Sequence, residues 1–135
     1  MGVTGVRIKQ NMIWILFVGI ILLAGCNAKA ETDIGEMLTK TEQHFDDSKQ
    51  VASTASAFNG DENLIKFRLM VDGYPTEEEA EKLFQDVLDT LADSAGNPDL
   101  WKEYHGSFDI KNYQDGVIYQ ASKRMGEELH IKKAN

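Results

Sequence analysis

The stretch from Glu77 to about Ala95 places Ala80, Leu83, Phe84, Val87, Leu88, Leu91, Ala92 and Ala95 on one face at helical spacing. Thr76 before it, with Glu79 three residues on, reads as a capping box, and Glu77, Glu78 and Glu79 sit where the helix dipole favours anions. Gly96 is a ready C-cap, and Pro98 prevents continuation. A helix with one apolar face must cover that face, and the flanking segments supply the cover. Asn63 to Val71 alternates, with Ile65, Phe67, Leu69 and Val71 to one side and Leu64, Lys66, Arg68 and Met70 to the other. Ser107 to Gln114 and Val117 to Lys123 read as two strands joined through Asp115-Gly116, a strong hairpin signal.

The elements around this centre are weaker. Asp33 to about Ala57 carries Ile34, Met37, Leu38, Phe45 and Val51 roughly on one helical stripe, although Ser48, Ser53, Thr54 and Ser56 weaken its second half. Phe58 to Asp61 is a turn cluster, and Glu128 to Lys132 forms a short last strand. The expected fold is α+β: an N-terminal helix, then a split β-α-β-β with a small antiparallel sheet covered by one long helix. A right-handed crossover makes the first strand parallel to the first hairpin strand. The second hairpin strand then slots between them. This topology looks like part of a ferredoxin-like fold, a shape that carries no function by itself.

The N-terminal segment is of another kind. Arg7 and Lys9 precede an apolar run from Met12 to Leu23, which ends at Leu23-Ala24-Gly25-Cys26. Charged start, apolar middle and small-residue end are the parts of a secretory signal peptide. The run falls short of the ~20 apolar residues a membrane span needs. Cys26 is the only cysteine, so no internal disulfide and no cysteine-based metal site can form.

Leu23-Ala24-Gly25-Cys26 resembles the lipobox of bacterial lipoproteins. The resemblance implies cleavage before Cys26 and a thioether-linked diacylglycerol on its sulfur. It further implies residence at the cell membrane, facing the outside of the cytoplasm. Residues 1–25 are then the signal peptide, 26–32 a tether and 33–135 a small acidic α+β domain. Two of the chain's 14 basic residues and none of its 22 acidic ones lie in the signal segment, which takes the mature charge from a formal −8 to about −10. That balance argues against nucleic acid as a partner, because its recognition requires a basic patch, and against adsorption to anionic lipid head groups without the lipid.

Chemistry is thinly marked. His44, His105 and His130 lie in three separate elements, without the spacing of a helical metal site, and neither metal nor cofactor is expected. The acidic cluster from Glu77 to Glu81 suits a helix N-terminus better than a calcium loop. Asp86, Asp89 and Asp93 form a solvated helix stripe. No serine sits in a nucleophile elbow. Trp101 and Tyr104, in the connector between Gly96 and Gly106, are the candidate contact residues, since such aromatics concentrate at binding hot spots. Core packing is their alternative role. The expected function is a membrane-anchored, non-enzymatic binding module meeting an envelope protein, as in lipoproteins that exclude phage or conjugative elements. A small envelope hydrolase or metal-handling lipoprotein is the alternative.

Overall fold

The computed structural model describes residues 32–134, which hold a hydrophobic core of their own. The expectations for residues 1–25, for Cys26 and for the tether up to Glu31 lie outside the described residues. The elements are α1 (Ile34–Asp46), β1 (Ser53–Asn59), β2 (Leu64–Val71), α2 (Glu77–Ala95), α3 (Leu100–Glu103), β3 (His105–Asn112), β4 (Gly116–Lys123) and β5 (Leu129–Lys133). The class is α+β: an N-terminal helix, then a five-stranded mixed sheet with its helices.

The long helix forms with the expected bounds, because both ends are capped. Thr76 Oγ1 accepts the Glu79 N–H at 3.1 Å and donates to Glu79 Oε1 at 3.2 Å. The glutamate thus returns to the cap hydroxyl, where the full capping box would have it accept the cap's backbone N–H. At the other end Gly96 turns left-handed (φ 62°), and its N–H and that of Asn97 satisfy the carbonyls of Ala92 and Asp93. The stripe Ala80, Leu83, Phe84, Val87, Leu88 and Leu91 is buried.

What it covers is a sheet of order β1-β2-β3-β4-β5. β2 and β3 lie side by side and parallel, with Phe67 opposite Phe108 and Leu69 opposite Ile110. The other three pairings are antiparallel. The expected insertion of the second hairpin strand between the two parallel strands therefore does not occur. β4 leaves β3 through a short loop and folds onto the free edge of β3, while β2 and β3 join their core-facing residues into one apolar band.

A second difference concerns residues 52–57. The predicted helix ends at Asp46, and Ser53–Asn59 forms an edge strand whose ladder opens with Ala52 N–H donating to Met70 O at 2.8 Å. Serine and threonine lose to the backbone in helices but suit a half-exposed strand. The turn to β2 lies at 60–63, where the Asn59 side chain accepts the Asp61 N–H at 3.0 Å and Asn63 takes φ 49°. α1 still joins the core through Met37, Thr41 and Phe45. The fully buried Thr41 hydroxyl donates to Met37 O at 2.8 Å and sits 3.2 Å from Ser94 Oγ of α2.

The Asp115-Gly116 hairpin also differs in detail. β3 ends at Asn112, the loop is Tyr113 to Asp115, and Gly116 takes φ 75° as the left-handed residue after it. Ile118 is the extra residue of a bulge, since Ile110 faces Tyr119 and Lys111 faces Val117. The buried Asn112 explains this loop. Its Oδ1 accepts the Asp115 N–H at 2.8 Å, and its Nδ2 donates to Gly73 O at 3.0 Å.

Two substitutions test this architecture in urea unfolding. Thr76→Ala should lower stability by ~1 kcal/mol through the lost N-cap. Gly106→Ala should cost ~1–3 kcal/mol, because a Cβ there meets Phe108 Cε2 at 2.8 Å and Trp101 Cζ3 at 2.9 Å. Wild-type midpoints in both variants would refute the cap and the packing.

Candidate functional site

The residues singled out in the sequence are dispersed by the fold. Trp101 lies on the single turn α3 and is half-buried. Its indole N–H donates to Leu88 O at 3.1 Å, and its ring stands edge-on to Phe108 at 5.7 Å. Tyr104 is half-buried against the same core and edge-on to Phe58 at 5.9 Å. Both aromatics thus close the end of the core beneath α2, with only part of each ring reaching solvent. His44 is exposed on α1, and His130 is exposed on β5. His105 Nδ1 accepts the Met125 N–H at 3.2 Å, which assigns that nitrogen to holding the turn after β4. Among the described residues no three histidine, cysteine or acidic side chains come together as a metal site. No helix among them is long and apolar enough to cross a membrane.

What the fold does assemble is the open face of the sheet. Both core-facing rows of β2 and β3 are buried, so the intervening residues point the other way. The register aligns them in rows across five strands. One row runs Ala55, Arg68, Asp109, Gln120, Lys132; the next runs Ala57, Lys66, Ser107, Ser122, His130. Lys111 extends the face beside Met70. Long basic side chains on β2 and β5 therefore flank short ones on β1, β3 and β4. Two shallow depressions result, of about 210 Å³ over Ala55 and Ala57 and about 390 Å³ over Ser107, Gln120 and Ser122.

Arg68 and Asp109 anchor the middle of this face. The guanidinium binds the carboxylate at two points, Nε to Oδ1 at 2.7 Å and Nη2 to Oδ2 at 2.9 Å. That bond and the Asp109 charge raise the guanidinium pKa further, so Arg68 stays cationic. Asp109 is the one carboxylate in these strand rows, and Arg68 occupies it. Lys66, Lys111 and Lys132 make no ion pair among the described residues. The surface is thus cationic and rich in hydroxyls, a chemistry that receives anionic oxygens. The alternation of β2 already exposes Lys66 and Arg68 in the sequence. Lys111, Lys132 and His130 join them only through strand order and register.

A larger cleft, of about 680 Å³, opens where the loop before α2 meets the β3–β4 hairpin and the end of β5. Pro75, Ile118 and Tyr119 form apolar walls, and Tyr119 donates its hydroxyl to Pro75 O at 2.9 Å. At its mouth the exposed Tyr74 donates a hydrogen bond to the Asp115 carboxylate. That bond, with desolvation and the carboxylate's charge, holds the phenol above its ordinary pKa. No protein-family model, no curated protein and no solved structure matches this chain.

Ultraviolet titration of the phenolates tests the Tyr74 contact, with Tyr74→Phe identifying its share. Its midpoint should lie above the ordinary tyrosine value, and Asp115→Ala should bring it down. A raised folded-state pKa makes the contact's stabilisation complete below the unfolded tyrosine pKa of about 10 and lost as pH rises through the folded value. An unchanged midpoint in Asp115→Ala would remove the contact.

Proposed function

We propose that this chain is an extracytoplasmic lipoprotein, cleaved before Cys26 and acylated on its sulfur, whose domain is a non-enzymatic binding module. The observation that carries the reading is Leu23-Ala24-Gly25-Cys26 at the end of an apolar run, in a chain with no other cysteine. Acylation accounts for the unpaired thiol of an exported protein. A diacylated cysteine also supplies the two chains that stable anchoring requires.

The described domain supports a binding role through the way its side chains are used. His105 Nδ1 and the Trp101 indole N–H are engaged in holding the fold. The most strongly patterned surface is instead an array of basic and hydroxyl groups on a rigid sheet. A hydrogen-bonded sheet holds its backbone in place before association, so little backbone entropy is lost on binding. Trp101 and Tyr104 remain the residues through which the helical side would meet an envelope protein, by their exposed ring edges.

Cys26→Ser should release the protein from membranes or leave the precursor uncleaved. Intact mass of membrane-derived protein should show the diacylglycerol on a chain beginning at Cys26, and an unmodified Cys26 in that fraction would overturn the reading. For the aromatic surface, Trp101→Phe keeps an aromatic ring on the core but loses the bond to Leu88 O and part of the packing against Phe108. It should stay folded and is the variant to compare with Tyr104→Ala in a pull-down of envelope proteins. Loss of a partner in the folded Tyr104→Ala variant supports the contact, and unchanged capture in both variants removes it.

A further inference from the structure

We propose that the open face of the sheet is a membrane-docking face, which seats the domain on anionic lipid head groups and turns α2 outward. The inference rests on the acylation of Cys26 for its tether and goes beyond it by assigning an orientation.

Charge is divided between the two sides of the sheet. The open face carries Lys66, Arg68, Lys111 and Lys132, with His130 beside them, against Asp109 alone. The other acidic residues near this face, Asp61, Glu62, Asp72, Glu127 and Glu128, lie in the turns at strand ends, with Glu62 bordering the end of the face beside Ser107 and Ser122. Behind the sheet, α2 exposes Glu77, Glu78, Glu79, Glu81, Asp86, Asp89 and Asp93. A helix packs about 10 Å behind a sheet, and its solvent side is farther still, whereas the Debye length at physiological salt is about 8 Å. A charged plane against the open face therefore feels the lysines, while the helical carboxylates are screened from it. The net negative charge of the chain does not describe this face.

The geometry favours a lipid surface over an acidic polypeptide. The basic groups are spread in two dimensions. Arg68 and Lys132 stand three strand intervals apart, roughly 14 Å at the ~4.8 Å strand spacing. The depressions between them are shallow and present no single groove for a chain. Ser107 and Ser122 add hydroxyls beneath the lysines, suited to phosphate oxygens. The five residues Asn27 to Glu31 separate Cys26 from the described domain. At most ~3.6 Å each, they keep Thr32, where the domain begins, within roughly 20 Å of the head groups. When the tether lets the domain approach within a Debye length, the anionic surface attracts the open face and repels the α2 side.

The test uses the full, lipidated chain in vesicles. Because Cys26 is the only native cysteine and its sulfur is acylated in the anchored protein, a single introduced cysteine takes a fluorophore. Ser107→Cys places it on the open face, and Gln85→Cys places it on the exposed side of α2. Quenching by head-group spin-labelled lipid is then read in vesicles of phosphatidylcholine, with and without phosphatidylglycerol. With phosphatidylglycerol at low salt, the position-107 probe should be quenched several-fold more than the position-85 probe. High salt or Lys66→Glu with Lys132→Glu should abolish the difference, since each lysine contributes roughly five-fold to surface partition. Lys82→Glu with Lys102→Glu changes the net charge equally and should leave it intact. Equal quenching at the two positions, or a preference that survives the Lys66 and Lys132 reversals, overturns the proposal. So does polyglutamate binding to the anchored protein without any phosphatidylglycerol-dependent quenching, which gives the face to an acidic polypeptide. Intact mass of the same preparation reports acylation separately, so a failed anchor is distinguishable from a failed orientation.

Discussion

Burial of one helical stripe organises the whole domain. Leu83, Phe84, Val87, Leu88 and Leu91 of α2 need a continuous apolar surface, and no single strand provides one. β2 and β3 provide it together. Their parallel register sets Phe67 beside Phe108 and Leu69 beside Ile110, and a crossover helix is the connection a parallel pair requires. Each fully buried side chain of this size contributes roughly 1.5–3 kcal/mol, so the β2-α2-β3 unit is the main source of stability. α1 and the outer strands extend it.

Polar groups then fix how the unit closes. Asn112 is fully buried and serves two loops at once, through Gly73 O and the Asp115 N–H. Tyr119 ties β4 to Pro75, and the Trp101 indole ties α3 to Leu88 at the opposite end of the domain. Every buried side-chain nitrogen and oxygen among the described residues has a partner. An unmet partner in such a place costs about 1–3 kcal/mol. These contacts therefore select one loop arrangement among several that the apolar core would tolerate.

The same layering separates the charges. One side of the sheet must be apolar to meet α2, so Lys66, Arg68, Lys111 and Lys132 are placed on the other side, while Lys133 falls in register with Tyr119 at the end of β5. The acidic residues of α2 are confined to its solvent face, with the core between the two populations. A chain whose composition reads as uniformly acidic thus presents a cationic plane. The Arg68–Asp109 pair keeps that plane ordered across the two central strands.

Several features are legible in the residues alone. The spacing of the apolar positions from Ala80 to Leu91, the Thr76 cap and Gly96 define α2, because helix ends and helix faces are local properties. Alternation defines β2, and it already separates Lys66 and Arg68 from the core. The cysteine at the end of the apolar run carries the anchoring proposal without any fold. Other features depend on partners distant in the chain. Residues 53–59 have weak local preferences, and pairing with β2 makes them a strand. Strand order is decided by which edge β4 takes, and the Asp115-Gly116 turn permits either. Asn112 reads as an ordinary strand-end residue until Gly73 and Asp115 are brought to it. The basic face belongs to this second group: alternation sets the side each residue faces, but only hydrogen-bonded register puts Arg68, Asp109, Gln120 and Lys132 in one row.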